Sequence, residues 1–157
     1  MITVNGIHIE PKTKFCYPDW NNFSSWIIDV IKYHKKKPGQ ILYNFIGEKK
    51  MLTLNNTLLN HDDYTDIITI PLDFPLTLGD VHGEIYVNTR RVSQNALQWK
   101  VSKEEEFLRV TAHGVLHLLG FNDKTPKDKK QMRLEEDLAI TRWCFTWNSP
   151  VYVPRET

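Results

Sequence analysis

Three side chains whose types and spacing suit a metal ion stand close together late in the chain: His113, His117 and Asp123. The segment reads His113-Gly114-Val115-Leu116-His117-Leu118-Leu119-Gly120-Phe121-Asn122-Asp123. Residues four apart on a helix project from one face, so the two imidazoles can converge on a single ion. Gly120 lets the chain turn sharply after the helix, which can bring Asp123 back toward the same point. Two imidazole nitrogens and a carboxylate oxygen suit one zinc ion, and three protein ligands leave a fourth position for water. An open site of that type is catalytic in form, because bound water becomes far more acidic and a substrate oxygen can be polarised. Two histidines at chance helical spacing would be the simpler explanation of a bare pair. The glycine stop and the oxygen ligand arriving together argue against it.

The helix that must carry this pair has clear punctuation. Ser102 and Glu105 form a capping box at its start, Phe107, Val110, Thr111, Gly114, Val115 and Leu118 give a packed face, and Gly120 ends it. A last helix is expected from Thr125-Pro126, with Thr125 as N-cap and Pro126 in the first turn, through Met132, Leu134, Leu138 and Ile140 to about Trp143. Upstream, Ile2 to Ile9 reads as a short strand or hairpin about an Asn5-Gly6 turn. Trp20, Phe23, Trp26, Ile27, Val30 and Ile31 follow helical spacing from Asp19 to about Lys36, and Pro38-Gly39 closes that helix. Strands are expected at Ile41–Ile46, at Asp66–Ile70 before Pro71, and at Gly83–Val87. Short helices are expected over Met51–Leu59 and Val92–Lys100, with Asn60-His61-Asp62-Asp63 as a loop. Strands and helices alternate without a regular βαβ pattern, which points to an α+β fold with a small mixed sheet of about four strands packed against several helices.

A chain of 157 residues is the size of one domain, and no linker or repeat divides it, so residues 1–157 are read as a single domain. Lys and Arg number 20 against 19 Asp and Glu, so only a local basic patch could argue for a nucleic-acid partner. The cluster His34-Lys35-Lys36-Lys37 could bind phosphate, but cations in a last helical turn also complement the macrodipole. Cys16 and Cys144 are too few for a disulfide framework and read as buried small hydrophobes. His8, His34, His61 and His82 lack metal-ligating neighbours and read as loop or surface residues. The aromatic run Trp143-Cys144-Phe145-Thr146-Trp147 could stack bases, although it more simply ends the last helix. No signal pattern and no membrane-length apolar run is present, so a cytoplasmic protein is expected.

The spacing of the two histidines, Gly120 and Asp123 resembles the zinc segment of metzincin peptidases, with aspartate in the third ligand position. Those peptidases carry a glutamate after the first histidine as general base, and position 114 is glycine. A closer resemblance is to the YbeY family, the single-strand-specific endoribonucleases of ribosomal RNA maturation, whose signature is H-G-x-L-H-L-x-G-Y/F-D-H. His113 to Asp123 is similar to it at every fixed position except the last two. Leu54-Asn55, Thr65 to Pro71, Gly83-Glu84-Ile85, Asn95-Ala96, and Met132 with Glu136 resemble further family segments in the same order.

The resemblance implies a zincin-like α+β fold, one zinc ion, and hydrolysis of RNA phosphodiesters near the 3′ end of small-subunit ribosomal RNA. It also implies ribosomal components as partners, and a role in ribosome quality control. Asp123 stands in place of the third histidine, which should make bound water less acidic, and Asn122 in place of the neighbouring aspartate. Leu59 stands where many members carry an arginine that holds substrate phosphate, so Arg109 or Lys35–Lys37 would have to substitute, or cleavage would be weak. Glu136 could orient a histidine ligand or face solvent. A non-catalytic zinc-containing RNA- or ribosome-binding factor is the second reading, and a metallopeptidase-like hydrolase the third.

Overall fold

The computed structural model describes residues 1–59, 65–75 and 79–149. The loop expected at Asn60–Asp63, with His61, lies outside them. The N-terminal segment folds as a hairpin of β1 (Ile2–Val4) and β2 (Ile7–Pro11), because Asn5 and Gly6 both take positive φ, 51° and 85°. Two consecutive left-handed residues make the turn whose twist matches that of the strands it joins. Then follow α1 (Trp20–Tyr33), β3 (Pro38–Ile46), α2 (Glu48–Leu59), β4 (Ile67–Pro71), β5 (Val81–Asn88), α3 (Thr89–Trp99), α4 (Lys103–Leu118) and α5 (Pro126–Trp147).

One five-stranded sheet has the order β1-β2-β3-β5-β4, so the hairpin supplies two strands where about four in all were expected. Strands β2, β3 and β5 run parallel, and β1 and β4 flank them antiparallel. Pro71 does not stop β4 but completes it, opposite Gly83. An edge strand tolerates a residue without an N–H. Side-chain alternation assigns the two faces. Ile41, Tyr43 and Phe45 of β3 pack with Ile85 and Val87 beneath Phe23 and Trp26 of α1 and Phe107 and Val115 of α4. Ile46 and Ile68 face the other way, with Met51 of α2 over them.

Buried polar ties to backbone carbonyls help to hold the helical layer. Tyr43 Oη donates to the Thr111 carbonyl at 2.8 Å, anchoring α4 to the centre of the sheet, and Trp26 Nε1 donates to the Ala139 carbonyl at 2.8 Å, anchoring α5 to α1. Two minor expectations are corrected. Cys16 is exposed, since Phe15 and Tyr17 on either side turn inward, while Cys144 is half-buried against the core. His82 is a buried residue of β5, with Nδ1 accepting from the Gln40 N–H at 3.0 Å and Nε2 donating to the Gly79 carbonyl at 2.8 Å. Among the described residues no helix is long and apolar enough to cross a membrane.

Candidate metal centre

Ser102 caps α4 by accepting from the Glu105 N–H at 3.0 Å. The helix then lies close on β4 and β5 because Gly114 has no side chain. A Cβ there would fall 2.8 Å from Ile85 Cγ2 and 2.9 Å from Ile67 Cδ1. Position 114 therefore faces the sheet. A glutamate there would collide with the core, whereas a metzincin-type general base has to reach the metal.

The end of α4 is a Schellman turn. Gly120, at φ 101°, donates to the His117 carbonyl at 3.0 Å, and Phe121 donates to the Leu116 carbonyl at 3.0 Å. These two bonds satisfy the helix's last carbonyls and reverse the chain. Phe121 packs edge-on against His34, and two residues later Asp123 returns to the face of α4 that carries the histidines.

There His113 Nε2, His117 Nε2 and Asp123 Oδ2 form a small triangle, with edges of 3.0 Å between the nitrogens, 3.2 Å from His113 to Asp123, and 3.4 Å from His117 to Asp123. Donors held about 2.0–2.1 Å from a tetrahedral zinc are about 3.3 Å apart, so the donor set already has the spacing of three corners of such a shell. All three side chains are partly open to solvent.

The tautomer of His113 is set from behind. Its Nδ1 lies 2.7 Å from Glu136 Oε2, and Glu136 Oε1 accepts from Arg109 Nη1 at 3.0 Å. Arg109 Nη2 in turn donates to Asp137 at 2.9 Å. A buried carboxylate beside Nδ1 keeps the proton there, which leaves the Nε2 lone pair facing His117 and Asp123. Burial pulls the His113 pKa down. The hydrogen bond and charge of Glu136, with Asp123 and Asp66 adding, more than offset this and leave it raised. Glu136 is thus buried and takes the orienting role; it does not face solvent.

The triangle opens into a cleft of about 310 Å³ that sequence reasoning only partly foresaw. Asp66, Asn95, Trp99 and Arg133 line it together with His113, Asp123 and Glu136. Asp66 accepts from Asn95 Nδ2 at 3.3 Å, and burial pushes its carboxyl pKa up, partly countered by His113. The expected substitutes for the missing arginine at 59 do not serve here. Arg109 is buried and held by two carboxylates, and Lys35–Lys37 do not line the cleft. Instead Lys35, at φ 63°, helps to close the end of α1 by donating to the Lys32 carbonyl. Arg133 lines the cleft with no hydrogen bond or ion pair among the described residues, and its Nε is buried and unsatisfied. The one clue to it in the sequence was its place one turn before Glu136. In the C-terminal aromatic run Trp143 is buried against Trp26, at a centroid distance of 5.6 Å, and Trp147 packs on Trp143, whereas Phe145 is exposed.

Comparison with known proteins agrees with this geometry. Residues 8–143 match the family model described as Endoribonuclease YbeY. The chain is 42% identical over 117 residues to Endoribonuclease YbeY of Flavobacterium psychrophilum, covering 74% of this chain and 81% of that one. It is 39% identical over 135 residues to Endoribonuclease YbeY of Flavobacterium johnsoniae, covering 85% and 94%. Its fold is similar to the solution structure of TM1509 from Thermotoga maritima, with a TM-score of 0.65 and 26% identity over 91% of this chain and 92% of that one. With the motif and the fold in agreement, and with the family model matching residues 8–143, this chain belongs to the Endoribonuclease YbeY family.

Proposed function

We propose that this protein is a zinc-dependent, single-strand-specific endoribonuclease of ribosomal RNA maturation. In this reading it is a single-domain cytoplasmic enzyme that acts near the 3′ end of small-subunit ribosomal RNA and in ribosome quality control, in company with ribosomal components. The observation that carries the reading is the triangle of His113 Nε2, His117 Nε2 and Asp123 Oδ2, spaced for a tetrahedral ion and open on one side. A purely structural zinc usually has four protein ligands, so the open side speaks for catalysis rather than for a binding factor alone. Gly114, pressed against Ile85 and Ile67, speaks against the peptidase reading.

His113 and His117 would hold the ion through Nε2 and Asp123 through Oδ2. Zinc bound there would supply Lewis acidity toward a phosphate oxygen and toward water. Glu136 keeps the His113 proton on Nδ1 so that Nε2 stays a ligand. Arg133, free of carboxylates, is the guanidinium placed to take a phosphate oxygen of the scissile group. Asp66, in the same cleft and with its pKa raised by burial, would accept the proton of the attacking water or 2′-hydroxyl. Trp99, on the rim and half-exposed, offers a face for a base to stack on.

The test is cleavage of end-labelled single-stranded RNA by purified protein, with and without a strong chelator, beside a His113→Ala/His117→Ala variant prepared identically. Cleavage that is lost on chelation and absent from the variant is expected. Cleavage that survives both treatments would assign the activity to a contaminant or another site.

A further inference from the structure

A second cleft lies apart from the metal centre. It has a volume of about 840 Å³ and lies over the carboxyl ends of the three parallel strands, where β2 gives way to Lys12 and Lys14, β3 to Glu48, Lys49 and Lys50, and β5 to Arg90. We infer that this cleft anchors the phosphodiester backbone of the RNA strand that the metal centre cleaves. This inference rests on the endoribonuclease reading.

Charge is the first support. Five cations line the cleft against one carboxylate, Glu48, which is already engaged by Arg91 at 3.4 Å and Arg90 at 4.0 Å. Lys12, Lys14, Lys49 and Lys50 are exposed and make no ion pair among the described residues. The metal cleft is the reverse. Asp66, Glu106, Asp123 and Glu136 line it against Arg109 and Arg133, and Arg109 is already paired. Even with a divalent ion bound, that surface has little charge left to attract a polyanion. Affinity for the strand has to come from elsewhere on the protein.

The second support is the placing of cations at two helix N-termini that meet at the same place. Anionic side chains are favoured at helix N-termini and cations disfavoured. Yet in the first turn of α2 Glu48 is followed by Lys49 and Lys50, and Arg90 stands in the first turn of α3, which has no acidic residue there. Residues of both N-termini line this cleft beside the side-chain cations, which brings the positive ends of two helix dipoles to one space. Such a conflict between local preference and structure is expected where a ligand of opposite charge resolves it.

Position is the third. Carboxyl ends of parallel strands are where open α/β sheets bind ligands. Helix α3 joins the two clefts: Thr89, Arg90 and Ser93 line the basic one, and Asn95 and Trp99 the metal one. A strand crossing α3 would reach from anchor to metal. The 12–14 segment is held to α3 by the 2.7 Å hydrogen bond between the Thr13 and Thr89 hydroxyls, so the lysines are carried on a fixed edge.

The experiment measures binding of a fluorescent, unstructured oligoribonucleotide by anisotropy across a salt series, with cleavage followed in parallel. It compares native protein, a Lys12→Ala/Lys14→Ala/Lys49→Ala/Lys50→Ala variant, the same four positions changed to arginine, and the His113→Ala/His117→Ala variant. Each phosphate contact to a single strand contributes about 0.7 to the slope of log affinity against log salt, so the alanine variant should lose about 2–3 from that slope. Its affinity should fall at least about tenfold near 0.1 M salt. The arginine variant should bind like native protein, and the double-histidine variant should bind but not cleave. An alanine variant that melts like native protein and keeps the native salt slope overturns the inference while leaving the nuclease reading intact. That result would also follow if the cleft took an acidic protein instead. Lysine-dependent binding with no cleavage by zinc-loaded native protein would instead sink the nuclease reading, and with it the link to the metal centre, and leave the cleft as an RNA-binding surface only. Native protein that does not bind the oligomer overturns the anchor.

Discussion

Replacing Glu136 by glutamine separates metal binding from the packing of α4 on α5. In the native site Oε2 accepts from His113 Nδ1 at 2.7 Å and Oε1 accepts from Arg109 Nη1 at 3.0 Å. Glutamine in the same place has one acceptor end and one donor end. With its oxygen toward Arg109, its amide N–H faces Nδ1, and His113 must then carry its proton on Nε2, the atom needed for ligation. With its oxygen toward His113, its amide nitrogen abuts the guanidinium. Either arrangement removes one hydrogen bond to a charged group, which costs about 1.5–3 kcal/mol. Arg109 remains held by Asp137 at 2.9 Å, so the fold should survive. Metal affinity should fall about 10–100-fold, or about 1.4–2.7 kcal/mol.

The assay is competition between metal-free protein and a chromophoric chelator for zinc. Asp137→Asn is the companion variant, because Asp137 touches Arg109 and not His113. It should lower the melting temperature and leave zinc affinity unchanged. Zinc binding by Glu136→Gln as tight as that of native protein, or an equal loss of affinity in Asp137→Asn, would refute the orienting role of Glu136.

Arg133→Ala should lower kcat/KM on RNA by about 10–150-fold, the loss of a hydrogen bond to a charged phosphate, with zinc content unchanged. Arg133→Lys should restore only part of it, and native kinetics in the alanine variant would remove Arg133 from the mechanism. Gly114→Val should destabilise the fold by about 1–3 kcal/mol through overpacking against Ile85 and Ile67, and an unchanged urea midpoint would contradict the close approach of α4. The raised pKa of His113 gives a pH dependence of definite sign. In metal-free protein its stabilising contribution is complete below about 6.5, the unfolded value, and fades as pH rises through the folded value. Zinc needs the neutral ring, so the melting-temperature gain on adding zinc should be small near pH 6 and larger near pH 8. A gain that shrinks with rising pH would refute this.

Much of the fold and part of the site were legible in the sequence because local chemistry wrote them. Asn5-Gly6, Asp19, Ser102, Thr125-Pro126 and Gly120 each have one preferred backbone role, and each takes it. The pair His113 and His117 with Asp123 was readable because a helix and one glycine turn suffice to bring them together. Glu136 was ambiguous, since burial on α5 depends on how α5 packs, and its role appears only beside His113 and Arg109. His82 was misread for the same reason. Its burial follows from the approach of Gly39, where even a Cβ would meet the imidazole ring at 2.2 Å.

The functions of the charged residues were the least legible, and the physical reason is general to this architecture. Lys35–Lys37 form a run that draws attention, yet the backbone of Lys35 and Lys36 closes the end of α1 and that of Lys37 pairs with Asp80 and Val81. The five cations of the basic cleft lie in three separate segments, and each alone resembles an ordinary solvated residue. Only the parallel pairing of β2, β3 and β5 brings the segment ends to one edge of the sheet. Arg133 likewise looks like a surface residue of α5 until the chain reversal at Gly120 and the packing of α4 place it beside His113 and Asp123. Division of labour follows from that assembly. A centre rich in carboxylates can hold and tune a metal ion but has little positive charge left to attract the strand it must cut, so a separate surface has to carry the attraction. In this molecule the two functions share one helix, α3, and that connection allows opposite charge preferences to serve a single substrate.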